Sequence, residues 1–318
     1  MKTTYLLLTL LSFLICTIQA SAQINIERLL TESLENPIGL DVREPRFSWV
    51  LTSERRNTMQ TAYEIRVAES ERDLKRGRNL RWESGKVDSD ASVFVPYQGA
   101  PLASGKKYYW QVRAWDNYDK STGWSEPASF QMALLNPEEE FTARWISSAE
   151  DDDSEERRSP YFRKDFSLPG GKSIQSATAY VTARGMYEAH LNGQRIGDAY
   201  LTPGWTSYQD RLQYQTYDVT DMLNAGENAV GVALGSGWHR GYIGFSDQKN
   251  MYGTDVALLF QLDITYEDGS TESIVSDDSW KLAYGPVRNS EIYNGETYDA
   301  REEMPGWAAP GFDDQPCR

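Results

Sequence analysis

The stretch GMYEAHLNGQRIGDAYLTPGWTSY, Gly185 to Tyr208, alternates apolar and polar residues and is cut at short intervals by turn residues. Tyr187, Ala189 and Leu191 fall on one side and Glu188 and His190 on the other, which is the period of a strand with one face buried. Asn192-Gly193 follows, two residues that tolerate the positive φ a type I′ hairpin turn demands. The return strand runs through Arg195, Ile196 and Gly197 to Asp198, and Pro203-Gly204 ends it. Trp205, Thr206, Ser207 and Tyr208 then set two flat rings beside hydroxyls. Such a loop suits a ligand with an apolar face, and the same rings suit a plug closing the end of a β-domain.

The same grammar covers the rest of the chain. Between Ile24 and Met132 six candidate strands lie around Trp49, Thr61, Trp82, Ser92, Lys106 and Ala128, with scarcely any helical periodicity. This predicts an antiparallel β-sandwich over residues 23–134. Tyr108, Trp110, Val112 and Ala114 alternate with Tyr109, Gln111 and Arg113, so one face is expected to be buried. YYWQVRAWD followed by GWSEPASF resembles the last two strands of a fibronectin type III domain, and Trp110, Trp115 and Trp124 are assigned structural roles. Residues 135–143 read as a linker. The run Glu150-Asp151-Asp152-Asp153, with Glu155 and Glu156, lacks the glycine-turned spacing of a calcium loop and reads as solvated charge. Residues 144–300 offer at least seven further strands, which two facing sheets of a jelly-roll kind would use. Tyr217 to Leu223 interrupts them with one helical turn capped by Asp218 or Thr220. Gly235 to Phe245, GSGWHRGYIGF, is a glycine-rich loop carrying Trp238, His239, Arg240 and Tyr242. The expected fold class is all-β, a fibronectin type III-like sandwich followed by a jelly-roll-like one.

Composition narrows function. A formal charge of −15 over 318 residues leaves no phosphate-neutralising surface, which argues against nucleic acid. Residues 1–22 read as a secretory leader: Lys2, an apolar core from Leu6 to Ile15, and a small-residue cleavage site at Ala20-Ser21-Ala22. Export to the periplasm or cell surface follows, and no later run has the length of a membrane span. Cleavage there leaves Cys317 as the single cysteine, so stability must come from packed cores rather than disulfides. Two histidines, His190 and His239, supply little material for a His-rich metal site or a Ser-His-Asp triad.

Three long motifs carry a family resemblance: VTARGMYEAHLNGQRIGDAYLTPGWTSYQDRLQYQTYDVTDML, GENAVGVALGSGWHRGYIGF, and IYNGETYDAR with PGWAAPGFDD ending at Asp314. They resemble the N-terminal half of the bacterial α-L-rhamnosidases of glycoside hydrolase family 78, and TESLENPIGLDVREPRFSWVL resembles that family's leading domain. The resemblance implies an inverting glycosidase that removes terminal α-L-rhamnose with a carboxylate acid and base in an (α/α)6 barrel. Residues 301–318 read as the start of a truncated following region, with Gln315-Pro316-Cys317-Arg318 in place of the family's next tryptophan. No catalytic residue is therefore carried over, and whether this chain acts as an enzyme by itself is left open; the remainder of a rhamnosidase encoded downstream would be its partner.

The second domain also resembles a rhamnose-binding, calcium-dependent module, which implies L-rhamnose-containing glycans as ligand and calcium as a cofactor of that domain. Asn192, Asp198, Asp210 and Asn228 are oxygen donors near turns, though their spacing defines no calcium site, and each reads as turn chemistry before it reads as a ligand. For the sugar itself the candidates are Trp205, Tyr208, Trp238 and His239 as loop rings, with Asn192 and Asp198 as polar rim. They can converge only if their loops leave the same end of the sandwich. The competing reading is a non-catalytic sugar-binding or protein-interaction β-sandwich protein.

Overall fold

Strands form wherever the alternation predicts them, and the computed structural model describes them over residues 24–148, 157–244, 248–315 and 317. The leader assigned to residues 1–22 and the acidic run at 150–156 lie outside the described residues. The chain divides into two compact units between Gln131 and Met132.

In the first unit the strands are β1 (Asn25–Thr31), β2 (Arg46–Thr52), β3 (Gln60–Ala68), β4 (Leu80–Glu83), β5 (Val87–Asp88), β6 (Val95–Pro96), β7 (Lys107–Asp116) and β8 (Ala128–Gln131). One sheet has the order β1-β2-β6, and the other β4-β3-β7-β8 with β5 also paired to β3. Their facing side chains make the core: Phe47 lies 4.4 Å from Trp110 and 5.8 Å from Phe130, ring centre to ring centre. Tyr108, Trp110, Val112 and Ala114 are all fully buried, as the alternation in β7 requires. Trp115 and Trp124 sit outside that core. Arg113 stands over both rings, at 5.0 and 4.7 Å, and Arg66 over Trp124 at 4.3 Å, so these two indoles stabilise the sheet surface through cation–π contacts. A helix, Glu71–Arg76, also forms where the alternation shows no helical signal. Ser70 caps its first turn by accepting from the Asp73 N–H, and Gly77 closes it in a left-handed conformation.

The second unit contains β9 (Ile146–Ser147), β10 (Pro160–Ser167), β11 (Ile174–Arg184), β12 (Met186–Leu191), β13 (Gln194–Arg195), β14 (Gln215–Asp218), β15 (Glu227–Gly235), β16 (Tyr242–Ile243), β17 (Gln248–Lys249), β18 (Ala257–Tyr266), β19 (Thr271–Val275), β20 (Lys281–Tyr284), β21 (Val287–Glu291) and β22 (Gly295–Tyr298). Two sheets face each other, β13-β12-β15-β10-β20 and β14-β11-β18-β19, the latter with β9 on β18. Tyr187, Ala189 and Leu191 of β12 join Val230, Val232 and Leu234 of β15 and Val181, Ala183, Phe260 and Leu262 of the opposite sheet in one apolar core. The predicted hairpin forms at Asn192-Gly193, with φ of 54° and 79°. The helical turn is also present, at Thr220–Met222, with Asp218 accepting from the Thr220 N–H.

Two stretches read as connectors are bound to the second unit. Phe141, within the linker at 135–143, stacks edge-on against Tyr180 and Tyr214 on the outer face of the β11–β18 sheet. The Thr142 N–H donates to Gln261 on the same face. Residues 304–314, within the stretch 301–318 that the sequence sets apart as the opening of a following region, strap the outer face of the other sheet. Arg163, 2% exposed, donates to the Trp307 carbonyl and pairs with Asp314 at 2.6 Å, and Lys281 pairs with the same carboxylate. Those pairings hold the Asp314 carboxyl below its ordinary range, the Lys281 hydrogen bond contributing most. Gly231 of β15 makes the strap possible, because a Cβ there would lie 2.4 Å from Cζ3 of Trp307.

Candidate functional site

Strand direction decides which loops meet. Met186 at the start of β12 pairs with Gly235 at the end of β15, and Arg184 at the end of β11 pairs with Ala257 at the start of β18. The segments 199–214, 236–241 and 250–256 therefore leave the sandwich at one end, where the Tyr187 N–H donates to the Thr202 carbonyl.

Four of the predicted residues come together there. The Trp205 and Trp238 rings are parallel to within 3°, with centres 6.2 Å apart. This lies in the range of offset-stacked aromatic pairs. Trp205 is 53% exposed, whereas Trp238 is half-buried. Tyr208 meets the edge of His239 at 5.1 Å. Burial holds the Tyr208 phenol up at about 12, so it stays a neutral donor across the physiological range.

His239 is not a surface group. The glycine-rich segment forms a helical turn, Gly237–Arg240, that buries it to 3%. Desolvation lowers its pKa, with Asp255 opposing and Arg184 adding to the effect. Its Nδ1 is buried without a hydrogen-bond partner among the described residues. The sequence reading missed Tyr252, whose hydroxyl accepts from Trp205 Nε1 at 3.3 Å and whose ring lies 4.9 Å from Tyr208. Its signal was there to use, an aromatic next to Gly253 in a turn-rich segment. No local pattern marks the group beneath the helical turn. Arg157 and Glu291 are both nearly inaccessible and lie 3.6 Å apart; Arg157 donates to the Arg240 carbonyl and to Asn250, and Glu291 accepts from the Tyr242 N–H. Buried charges demand such partners, and these hold the C-terminal end of the turn against Arg157 and against Glu291 of β21.

Of the two polar candidates, Asn192 lies elsewhere. Asn192 sits six residues of extended chain from Met186, about 20 Å away at the usual rise of a strand. Its side chain is spent on structure: Nδ2 donates to the Met222 carbonyl and to Asn228, and Oδ1 accepts from the Ala229 N–H. Asp198 is exposed two residues beyond Ile196, whose N–H donates to Ala189 in mid-strand. The calcium donors fit no better. Asn228 donates to the Asn224 and Gly226 carbonyls and accepts from Asn192, and Asp210 accepts from Ser207. Among the described residues no three His, Cys, Asp or Glu side chains gather as a metal would need. The set does not fit calcium. A separate cavity of about 820 Å³ in the second unit, lined by Trp145, Phe162, Asp277, Trp280 and Tyr284 among others, includes none of the predicted residues.

Fold and site together define a tandem of β-sandwich units whose second member carries an exposed aromatic group at one end. Residues 26–136 match the family model described as the Rha78A-like N-terminal immunoglobulin domain, and residues 172–318 match the α-L-rhamnosidase N-terminal domain. The chain belongs to the α-L-rhamnosidase family, as its N-terminal domain region. An α-L-rhamnosidase of Formosa agariphila is 39% identical over 90% of this chain and 31% of its own length. The crystal structure of the Aspergillus terreus enzyme superposes with a TM-score of 0.85 at 38% identity, covering 93% of this chain and 33% of that one. That of the Streptomyces avermitilis enzyme, complexed with L-rhamnose, gives 0.86 at 26% identity, covering 93% and 44%. The chain thus spans about a third of the length of the Formosa relative.

Proposed function

We propose that this chain is the N-terminal accessory part of an exported α-L-rhamnosidase acting on terminal α-L-rhamnose, and that its second β-sandwich binds rhamnose-containing carbohydrate at the Trp205–Trp238 end. The observation that carries the reading is the half-exposed Trp205 ring held parallel to Trp238 at the mouth of converging loops. Rhamnose offers a C6 methyl and a face of C–H groups, and apolar contact with a flat ring is the chemistry that holds such a face. Export rests on the charged start at Lys2, the apolar core from Leu6 to Ile15 and the small residues at 20–22. Catalysis by the whole protein would need a paired acid and base, and none of the residues at this end is assigned either role.

The test is to titrate L-rhamnose, with and without calcium, into wild type and into Trp205→Ala and Asp198→Ala, with a thermal melt to check folding. Wild type should bind in both buffers. Loss of the exposed ring should weaken binding by about tenfold, the size of one aromatic anchor, while Asp198→Ala changes it little. A wild type that binds rhamnose in neither buffer overturns the proposal.

A further inference from the structure

Two parallel indoles suggest a sugar clasped between them, and the distance rules that out. Close contact of a ring with each flanking plane takes about 3.5–4.0 Å per side, so a clasped sugar needs planes about 7–8 Å apart. Ring centres 6.2 Å apart at 3° cannot give parallel planes a larger gap than 6.2 Å. The inner faces of Trp205 and Trp238 are turned to each other, and what remains for a ligand is the outer face of Trp205. Trp238 is half-buried on a helical turn that Arg157 and Glu291 anchor from below, and Trp205 is further held by its hydrogen bond to Tyr252.

Resting on the carbohydrate reading above, we infer that the site is a one-sided platform: Trp205 carries the sugar and Trp238 supports Trp205 from behind. A platform touches one face of a ring and leaves its edge free. The ligand class is therefore a saccharide presented within a chain, with an apolar face exposed and its edge hydroxyls substituted, rather than a terminal rhamnose enclosed on all sides. Discrimination rests on the shape of the C–H face, not on a ring of hydroxyl partners.

The test compares methyl α-L-rhamnoside with the same rhamnoside carrying a glucose on one edge hydroxyl, by calorimetry and by the indole N–H signals of wild type, Trp205→Ala, Trp238→Ala and Trp238→Phe. Both sugars should bind with affinities within about threefold, less than one tenfold step of binding free energy. Trp205→Ala should weaken binding to both by about tenfold, and Trp238→Phe, which keeps a flat support, should restore most of what Trp238→Ala loses. Binding of the methyl rhamnoside with none of the glucosylated sugar would show an enclosed site and overturn the platform while sparing the carbohydrate reading. So would Trp238→Phe as damaging as Trp205→Ala, since Trp238 would then touch the sugar itself. Binding of neither sugar to wild type overturns both.

Discussion

His239 shows how a residue's meaning is set by its surroundings. Its imidazole is buried, its Nδ1 has no partner among the described residues, and desolvation lowers its pKa; burial does the same to His190, which packs against Trp307. A lowered histidine pKa means the fold prefers the neutral ring, so between the two pKa values the unfolded chain binds more protons. The stability this represents is fully present above the unfolded value, about 6.5, and is lost as pH falls below it toward the folded values. The melting temperature should accordingly fall between pH 7 and pH 5, and His239→Gln should flatten that slope. A melting temperature unchanged over this range would show that the rings accept protons freely. The lowered Asp277 and Asp314 carboxyls act in the same sense but in a lower window, stabilising above their unfolded range at about pH 4 and losing that only as pH falls further, so they do not account for a loss that begins near pH 6.5.

The strap at residues 304–314 is where an element depends on a missing side chain. Gly231 lies mid-strand, between Val230 and Val232, and its Cβ position is taken by Trp307 and Ala308. Gly231→Ala should destabilise the second unit by about 1–3 kcal/mol, the usual cost of forcing extra volume into a packed contact. In a Trp307→Ala background the indole contacts are gone while the Ala308 Cβ, 2.8 Å from the same position, stays, so the same substitution should cost less, by about 1 kcal/mol. Urea denaturation of the four proteins measures the coupling; equal costs in both backgrounds would mean that the strap does not rest on β15.

Each unit closes its own core, one around Phe47, Trp110 and Phe130 and the other around β11, β12, β15 and β18. Residues 24–131 and 132–318 should therefore fold as separate proteins, each with a cooperative melt and a strand-dominated circular dichroism spectrum. A fragment that stays unfolded alone would place its core partly in the other. The second fragment should begin at 132 rather than after residue 143, because Phe141 and Thr142 are held on its outer sheet face.

The sequence by itself determined the strands, the Asn192-Gly193 turn, the buried face of β7 and the family, because each is written in local spacing or in contiguous motifs. It also marked Trp205, Tyr208 and Trp238 as rings outside the regular strands. What it left open was which ends of the strands those rings share, since alternation fixes a side chain's face and says nothing of the direction in which neighbouring strands run. Only the antiparallel pairing of β12 with β15 and β11 with β18 brought Trp205 to Trp238 and carried Asn192 to the far end. Burial was decided the same way. His239 and the Arg157–Glu291 pair lie inside because segments distant in sequence close over them, a long-range effect that no window of neighbouring residues contains.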